Sequence, residues 1–295
     1  MTDTRAILGK IQHLELRTKH LVEATFAGQY HSIFKGRGMN FEEVRQYQPG
    51  DEIRTIDWNV TARSGEAYVK KFTEERDLTV MLVVDLSASG AFGSRELSKR
   101  ELAAEVAAIL AFCAIRNNDR AGLLLFTSEV EMFVPPRKGR QHVLRMIREM
   151  LFHEPRKTGT DIRGALDYVN KVMTRRAVVF LLSDFQDADY KKSFLTTHQR
   201  HDLVSISIVD PAEQELPPAG RFVIEDSETG EQYEIDLHNP HVRDRFRKAS
   251  GQRSEKLHQF FLRNGVDHIE LQTDKDYLPS LRTFFKNRMR RLARG

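Results

Sequence analysis

The chain has 295 residues, 40% of them apolar and 30% charged, and a net charge of +4. Those proportions fit an ordinary globular protein and exclude a disordered or fibrous one. Cys113 is the single cysteine, which excludes an internal disulfide and a cysteine-based zinc site.

Residues from about Arg5 to Phe26 carry Ile7, Ile11, Leu14, Leu21 and Val22 at helical spacing. Lys10, His13, Glu15, Arg17, Lys19 and His20 interrupt every apolar run there, so no signal peptide is read. No apolar stretch in the chain approaches the roughly 20 residues that cross a bilayer. A cytoplasmic protein without a membrane anchor is therefore expected. From Gly28 onward, Gly36, Gly38, Pro49 and Gly50 punctuate short extended pieces at Phe41–Tyr47 and Ala67–Phe72. Residues 1–78 read as an N-terminal lobe of helix plus short strands.

Residues 79–295 alternate strands with helices. Leu78–Val84 is a continuous apolar run with the length of a strand buried on both faces. A helix is expected from about Arg95 to Arg116, with Cys113 as a small buried filler on its inward side. Ala121–Phe126 and Val130–Val134 read as two strands joined by a short turn. Helices follow at Gln141–Phe152 and Ile162–Met173, then strands at Ala177–Leu182 and Leu203–Val209. Arg221–Ile224 and Gln232–Ile235 read as a hairpin inserted at about 220–236. A helix near Asn239–Asn264, a strand Val266–Leu271 and a helix Leu278–Leu292 close the chain. This order predicts an α/β fold with a mainly parallel sheet covered on both faces. No internal repeat or low-complexity tract is present.

The first apolar strand ends in Asp85-Leu86-Ser87-Ala88-Ser89-Gly90, immediately before a helix. Open α/β sheets bind ligands outside the carboxyl ends of their strands, where the strand order reverses. Alternate spacing of Asp85, Ser87 and Ser89 lets three oxygens converge, and hard divalent cations take oxygen ligands. Asp and Ser at such a place also cap helices, so this loop alone leaves both readings open. Thr160, in Thr158-Gly159-Thr160-Asp161, adds a hydroxyl at another helix start, and Ser183-Asp184 adds a second carboxylate at a strand end. Three such pieces on one rim are hard to attribute to capping.

Asp85-x-Ser87-x-Ser89, Thr160 and Asp184 together resemble the metal-ion-dependent adhesion site of von Willebrand factor type A (vWA) domains, which have a Rossmann-type sheet flanked by helices. The resemblance implies that Ser87 and Ser89 bind Mg²⁺, or Mn²⁺ or Ca²⁺ in its place, directly. Thr160 would bind directly or through water, and Asp85 and Asp184 mostly through water. The open coordination position would accept a partner's Asp or Glu carboxylate. In many such domains the second Asp precedes Gly, whereas Phe185 stands here, which leaves the path of that loop open. Gly36-Arg37-Gly38-Met39-Asn40-Phe41-Glu42-Glu43-Val44-Arg45-Gln46-Tyr47, Pro49-Gly50-Asp51-Glu52-Ile53-Arg54, Ile56-Asp57-Trp58 and Ala62-Arg63 resemble the bacterial domain-of-unknown-function 58 family. Members of that family are typically encoded beside MoxR-type AAA+ ATPases. That implies an adaptor or co-chaperone acting in protein maturation or complex assembly, with the ATPase or its client as partner.

Other chemistries have weaker support. There is no Gly-x-x-x-x-Gly-Lys-Ser/Thr phosphate loop and no Gly-x-Ser-x-Gly elbow. A Mg²⁺-dependent phosphohydrolase with Asp85 as nucleophile is the enzyme alternative, against which Ser87 stands where such enzymes carry a second acid. The expectation is therefore no enzyme. His198 and His201, like His238 and His241, read as surface histidines. Lys286, Arg288, Arg290, Arg291 and Arg294 read as a solvated basic helix face, so nucleic acid is not the expected partner. Trp58 reads as a core or interlobe filler, and Arg45, Arg54 and Arg63 as ion-paired with Asp51 and Asp57. A docking surface for the ATPase is the sharper alternative for that lobe.

Overall fold

The computed structural model describes residues 15–16, 30, 33, 39–74, 78–94, 97–217, 220–225 and 232–292. The chain forms two compact units, residues 34–78 and residues 1–33 together with 79–295. The division thus gives 1–33 to the α/β unit, where the sequence reading drew one lobe over 1–78. Glu15 and Tyr30 explain why: the Glu15 carboxylate accepts from Arg140 Nη2 at 2.8 Å, and Tyr30 is fully buried beside Asp119 and Cys113. Most of the expected helix over Arg5–Phe26 lies outside the described residues.

In the smaller unit, β1 (Met39–Gln46) pairs antiparallel with β2 (Tyr68–Glu74), with a bulge between Phe41 and Glu43. Helix α1 (Trp58–Ser64) lies between them in sequence. The Asp57 side chain caps it by accepting from the Asn59 and Val60 N–H groups. Gly65 ends it at φ 77°, a left-handed conformation that suits glycine. Sequence reasoning missed α1 because only seven residues form it and none is buried.

The larger unit has a six-stranded sheet, ordered β10-β7-β6-β3-β4-β5. Its strands are β3 (Thr79–Asp85), β4 (Arg120–Phe126), β5 (Val130–Arg137), β6 (Val178–Ser183), β7 (Asp202–Val209) and β10 (Asp267–Gln272). All neighbours pair in parallel except β4 with β5. Such a sheet needs cover on both faces, and successive side chains of β3 point to opposite layers. Met81 and Val83 pack with residues of α4 (Ile162–Val172), α5 (Lys191–Arg200) and α7 (Pro240–Arg263), among them Leu166, Phe194 and Phe261. Val80, Leu82 and Val84 are equally buried and face the opposite layer, where α2 (Lys99–Arg116) packs beside α3 (Arg140–Phe152).

The helix α2 starts at Lys99 and not near Arg95 because Ser98 and Glu101 form a reciprocal capping box. Cys113 is buried in it, and burial pushes its thiol up to about 12. Helix α5 was not expected, since its sequence buries only Ser193, Phe194 and Thr197. The hairpin of β8 (Arg221–Glu225) and β9 (Gln232–Asp236) forms as expected, with its turn outside the described residues. A short helix α6 (Pro211–Gln214) follows β7, and α8 (Leu278–Leu292) closes the fold. Among the described residues no helix is long and apolar enough to cross a membrane.

The chain leaves β3 toward β4 on one side and later returns to place β6 on the other. Strand order therefore reverses between β3 and β6, and their carboxyl ends open a crevice. Asp85 and Ser183-Asp184 lie at that point.

Candidate metal centre

Asp85 ends β3 with its carboxylate held from two sides. Ser87 N–H donates to Oδ1 at 2.8 Å and Ser183 Oγ donates to Oδ2 at 2.6 Å. Only 8% of the residue is exposed. Burial, and then repulsion from Asp184, push the carboxyl up to about 6, with the Ser183 and Ser87 hydrogen bonds opposing.

The loop then turns back on itself, Gly90 N–H donating to the Ser87 carbonyl at 2.9 Å. That turn brings Ser87 Oγ and Ser89 Oγ to 3.0 Å, and Ser89 Oγ donates to Asp184 Oδ2 at 2.8 Å. Four of the five residues read from the sequence are thus linked by direct hydrogen bonds.

Thr160 joins through its backbone neighbours. Ala88 N–H donates to the Thr158 carbonyl at 2.9 Å, tying the two loops together. Ile162 N–H donates to Asp187 Oδ2 at 2.8 Å, tying the same loop to the one after β6. Glu131 anchors it from below, accepting from Arg156 N–H at 3.0 Å and Lys157 N–H at 3.2 Å. Thr160 itself is half-buried in this loop and lies outside the lining of the small cavity. Asp85, Ser87, Ser89, Lys99, Ser183 and Asp184 contribute to that lining, around about 20 Å³. That is room for one water-sized guest.

The oxygen set fits a small hard cation. Two ligands at right angles on an octahedral ion, each at about 2.1 Å, lie ~3.0 Å apart. The Ser87–Ser89 and Ser89–Asp184 oxygen separations, 3.0 and 2.8 Å, are ordinary hydrogen-bond lengths that also lie near that edge, so the oxygens need move little to face a cation. Among the described residues no three Asp, Glu, His or Cys side chains converge to hold a metal. The donors here are two carboxylates and two hydroxyls, which suits an ion that keeps some of its water.

Phe185 takes φ 57°, so the loop after Asp184 follows the left-handed path that glycine would take. The conformation is unfavourable for a side chain of this size. It is offset by burial of the ring against Phe261 and Tyr190, with centroids at 5.3 and 5.9 Å.

Residues that sequence reasoning missed complete the rim. Lys99 Nζ lies 2.7 Å from Asp184 Oδ2 and 2.6 Å from Glu213 Oε1. Burial alone would push Lys99 down, but Asp184 and Glu213 outweigh it and hold its ammonium above the ordinary range. Asp210, at the end of β7, accepts from Ser94 N–H, Ser94 Oγ, Thr273 Oγ1 and Ala212 N–H. It pins three loops together, and its signal in the sequence was a third Asp directly after an apolar strand. Lys99 left no signal, because its partners are 85 and 114 residues away.

Other expectations are corrected. His201 is buried, its Nδ1 accepting from Ala177 N–H at 3.3 Å, and is not a surface histidine. Trp58 is 67% exposed and fills no core gap. The expected pair of Arg45 with Asp51 forms, at 2.7 Å, whereas Asp57 caps α1 and lies 3.5 Å from Lys70. Arg288 is buried and bonded to Asp202 and Asp267, and Arg291 also meets Asp267. The C-terminal basic face is therefore partly neutralised within the fold.

The sheet order, with helices on both faces and one antiparallel edge strand, defines a Rossmann-type α/β domain with a mainly parallel sheet. Residues 43–256 match the family described as Protein of unknown function DUF58, and the chain belongs to that family. The uncharacterized protein Mb1516 of Mycobacterium bovis is 31% identical over 296 residues, covering 99% of this chain and 93% of its own length. The uncharacterized protein YeaD of Bacillus subtilis is 29% identical over 134 residues, 45% of this chain and 31% of its own length. Similar solved structures include the conserved hypothetical protein BatB from Bacteroides thetaiotaomicron. It is 15% identical, with 74% of this chain and 100% of that chain covered and a TM-score of 0.48. The SpRpn10 VWA domain is 12% identical, with 69% and 93% covered and a TM-score of 0.38.

Proposed function

We propose that this chain is a metal-dependent protein-interaction module that captures an acidic side chain of a partner protein. The observation that carries the reading is the convergence of Asp85, Ser87, Ser89 and Asp184 oxygens on one small cavity at the carboxyl ends of β3 and β6. Ser87 and Ser89 would hold Mg²⁺, or Mn²⁺ or Ca²⁺, directly. Asp85 and Asp184 balance its charge, and Thr160 presents a further hydroxyl from the adjoining loop. A bound divalent cation supplies a Lewis-acidic position that a partner's Glu or Asp carboxylate completes.

The protein residues do the positioning. Ser183 and Ser87 fix the Asp85 carboxylate, the Ala88–Thr158 hydrogen bond holds the two loops in register, and Asp210 keeps the neighbouring rim rigid. The partner class follows from the family resemblance: a MoxR-type AAA+ ATPase or its client, met in the cytoplasm during protein maturation or complex assembly.

A phosphohydrolase is less well supported, because both Asp85 oxygens already accept hydrogen bonds and the carboxylate is buried, which disfavours nucleophilic attack. The test is capture of partners from lysate on immobilised protein, with Mg²⁺ and with chelator, read by mass spectrometry. Capture of a defined set that is lost with chelator and in Asp85→Ala supports the module. Metal-independent capture, or phosphatase turnover removed by Asp85→Ala, overturns it.

A further inference from the structure

Lys99 is in a place where physical chemistry disfavours a cation. It is the first residue of α2, where the exposed N–H groups of the helix start already carry partial positive charge. Its side chain is only 3% exposed. Two carboxylates keep it there: Asp184 Oδ2 at 2.7 Å, from the loop after β6, and Glu213 Oε1 at 2.6 Å, from α6.

The oxygen that Lys99 holds is the one to which Ser89 donates. A divalent cation placed against Ser89 and Asp184 would share that carboxylate with an ammonium of like sign. At such range a single and a double positive charge repel strongly even in a partly screened site.

We propose that Lys99 is the affinity-setting residue of this site: its ammonium and a divalent cation compete for Asp184, with Glu213 as the acceptor that retains Lys99 when the cation takes Asp184. The inference rests on the metal-binding reading above. In this arrangement Lys99 tunes the site without being a ligand. It lowers the affinity of the site for a divalent cation. Ser250 Oγ donates to the Glu213 carbonyl at 2.9 Å, so a shift of Lys99 toward Glu213 acts on a segment braced against α7.

Isothermal titration of the full chain with Mg²⁺ tests this, comparing wild type with Lys99→Met, Glu213→Gln and Asp85→Ala, each checked for fold by circular dichroism. Lys99→Met is expected to tighten Mg²⁺ binding by at least about tenfold. Glu213→Gln is expected to weaken it, since Lys99 then has Asp184 alone. The opposite directions keep the test decisive if one variant fails to fold. If wild type binds Mg²⁺, Asp85→Ala does not, and Lys99→Met binds equally or more weakly, the role of Lys99 is overturned while the metal site stands. A Glu213→Gln protein that binds as tightly as wild type or tighter overturns it too. If neither wild type nor a folded Lys99→Met protein binds Mg²⁺, the metal-binding reading itself falls, and the inference with it.

Discussion

Ser89 donates its hydroxyl to Asp184 at 2.8 Å across 95 residues of chain. The bond joins the loop after β3 to the loop after β6, the two strands between which the sheet order reverses. Everything proposed about metal and partner binding depends on that juncture, because it brings hydroxyl and carboxylate oxygens to one spot.

Replacing Asp85 by Asn removes a buried charge while keeping the side-chain shape. The folded carboxyl, near 6, binds its proton more tightly than an unfolded Asp near 4. Wild type therefore loses stability as pH rises from about 4 to 6, and the loss is complete above that window. In chelator at pH 7.5, Asp85→Asn is expected to be more stable by about 1–3 kcal/mol. That advantage should vanish below pH 4. Urea denaturation across pH checks it, and a less stable variant at pH 7.5 would contradict the account.

Protons and metal compete for the same carboxyl. Mg²⁺ affinity is expected to be level above pH ~7 and to fall below pH 6, by up to about tenfold per unit. Titration calorimetry between pH 5 and 8 reads this directly. A flat profile would show that Asp85 ionisation is not linked to the metal.

Phe185→Gly separates backbone strain from packing. Glycine relieves the left-handed φ of 57°, a gain of about 1 kcal/mol. It also empties the space filled by a ring in contact with Phe261 and Tyr190, which costs about 3–5 kcal/mol. A net loss of about 2–4 kcal/mol in thermal or urea unfolding is expected, with Mg²⁺ binding retained because the loop path is the same. A stabilised variant would mean the ring contributes little.

Glu131→Ala tests how the Thr160 loop is held. Glu131 accepts from Thr127 Oγ1 and from the Arg156 and Lys157 N–H groups, which bridges the β4–β5 turn and the loop before α4. The two N–H groups are exposed enough to take water instead, so the expected cost is modest, about 1–2 kcal/mol. Hydrogen exchange at residues 156–161 should accelerate. Unchanged exchange there would remove Glu131 from its anchoring role.

Arg288→Ala addresses the basic C-terminal helix. Arg288 is buried and bonded to both Asp202 and Asp267, so its loss takes the cation from Asp202 and leaves Asp267 with Arg291 alone. Destabilisation of about 3–5 kcal/mol is expected, with no DNA or RNA affinity to lose. Salt-sensitive nucleic-acid binding that disappears in this variant would contradict that reading.

Strands β3, β6 and β7 were legible because near-continuous apolar runs of six to eight residues have few alternatives to a doubly covered parallel strand. Asp85, Ser87, Ser89 and Asp184 were legible for a related reason, since the ends of such strands mark the rim of the sheet. Helices α1 and α5 were not, as one is seven residues long and the other buries little. Lys99 and Glu213 were invisible because their meaning lies in a triangle of charges drawn from three distant segments. His201 was misjudged for lack of any local sign that Ala177 N–H, at the start of the strand before it, would need an acceptor.

The central claim is that Ser87 and Ser89 hold a divalent cation whose charge Asp85 and Asp184 balance, and anomalous diffraction from crystals grown with Mn²⁺ tests it most directly. The account predicts one anomalous peak at the carboxyl ends of β3 and β6, within coordination distance of Ser87 Oγ and Ser89 Oγ. A map without that peak, with the Lys99 ammonium still on Asp184 at saturating Mn²⁺, would contradict it.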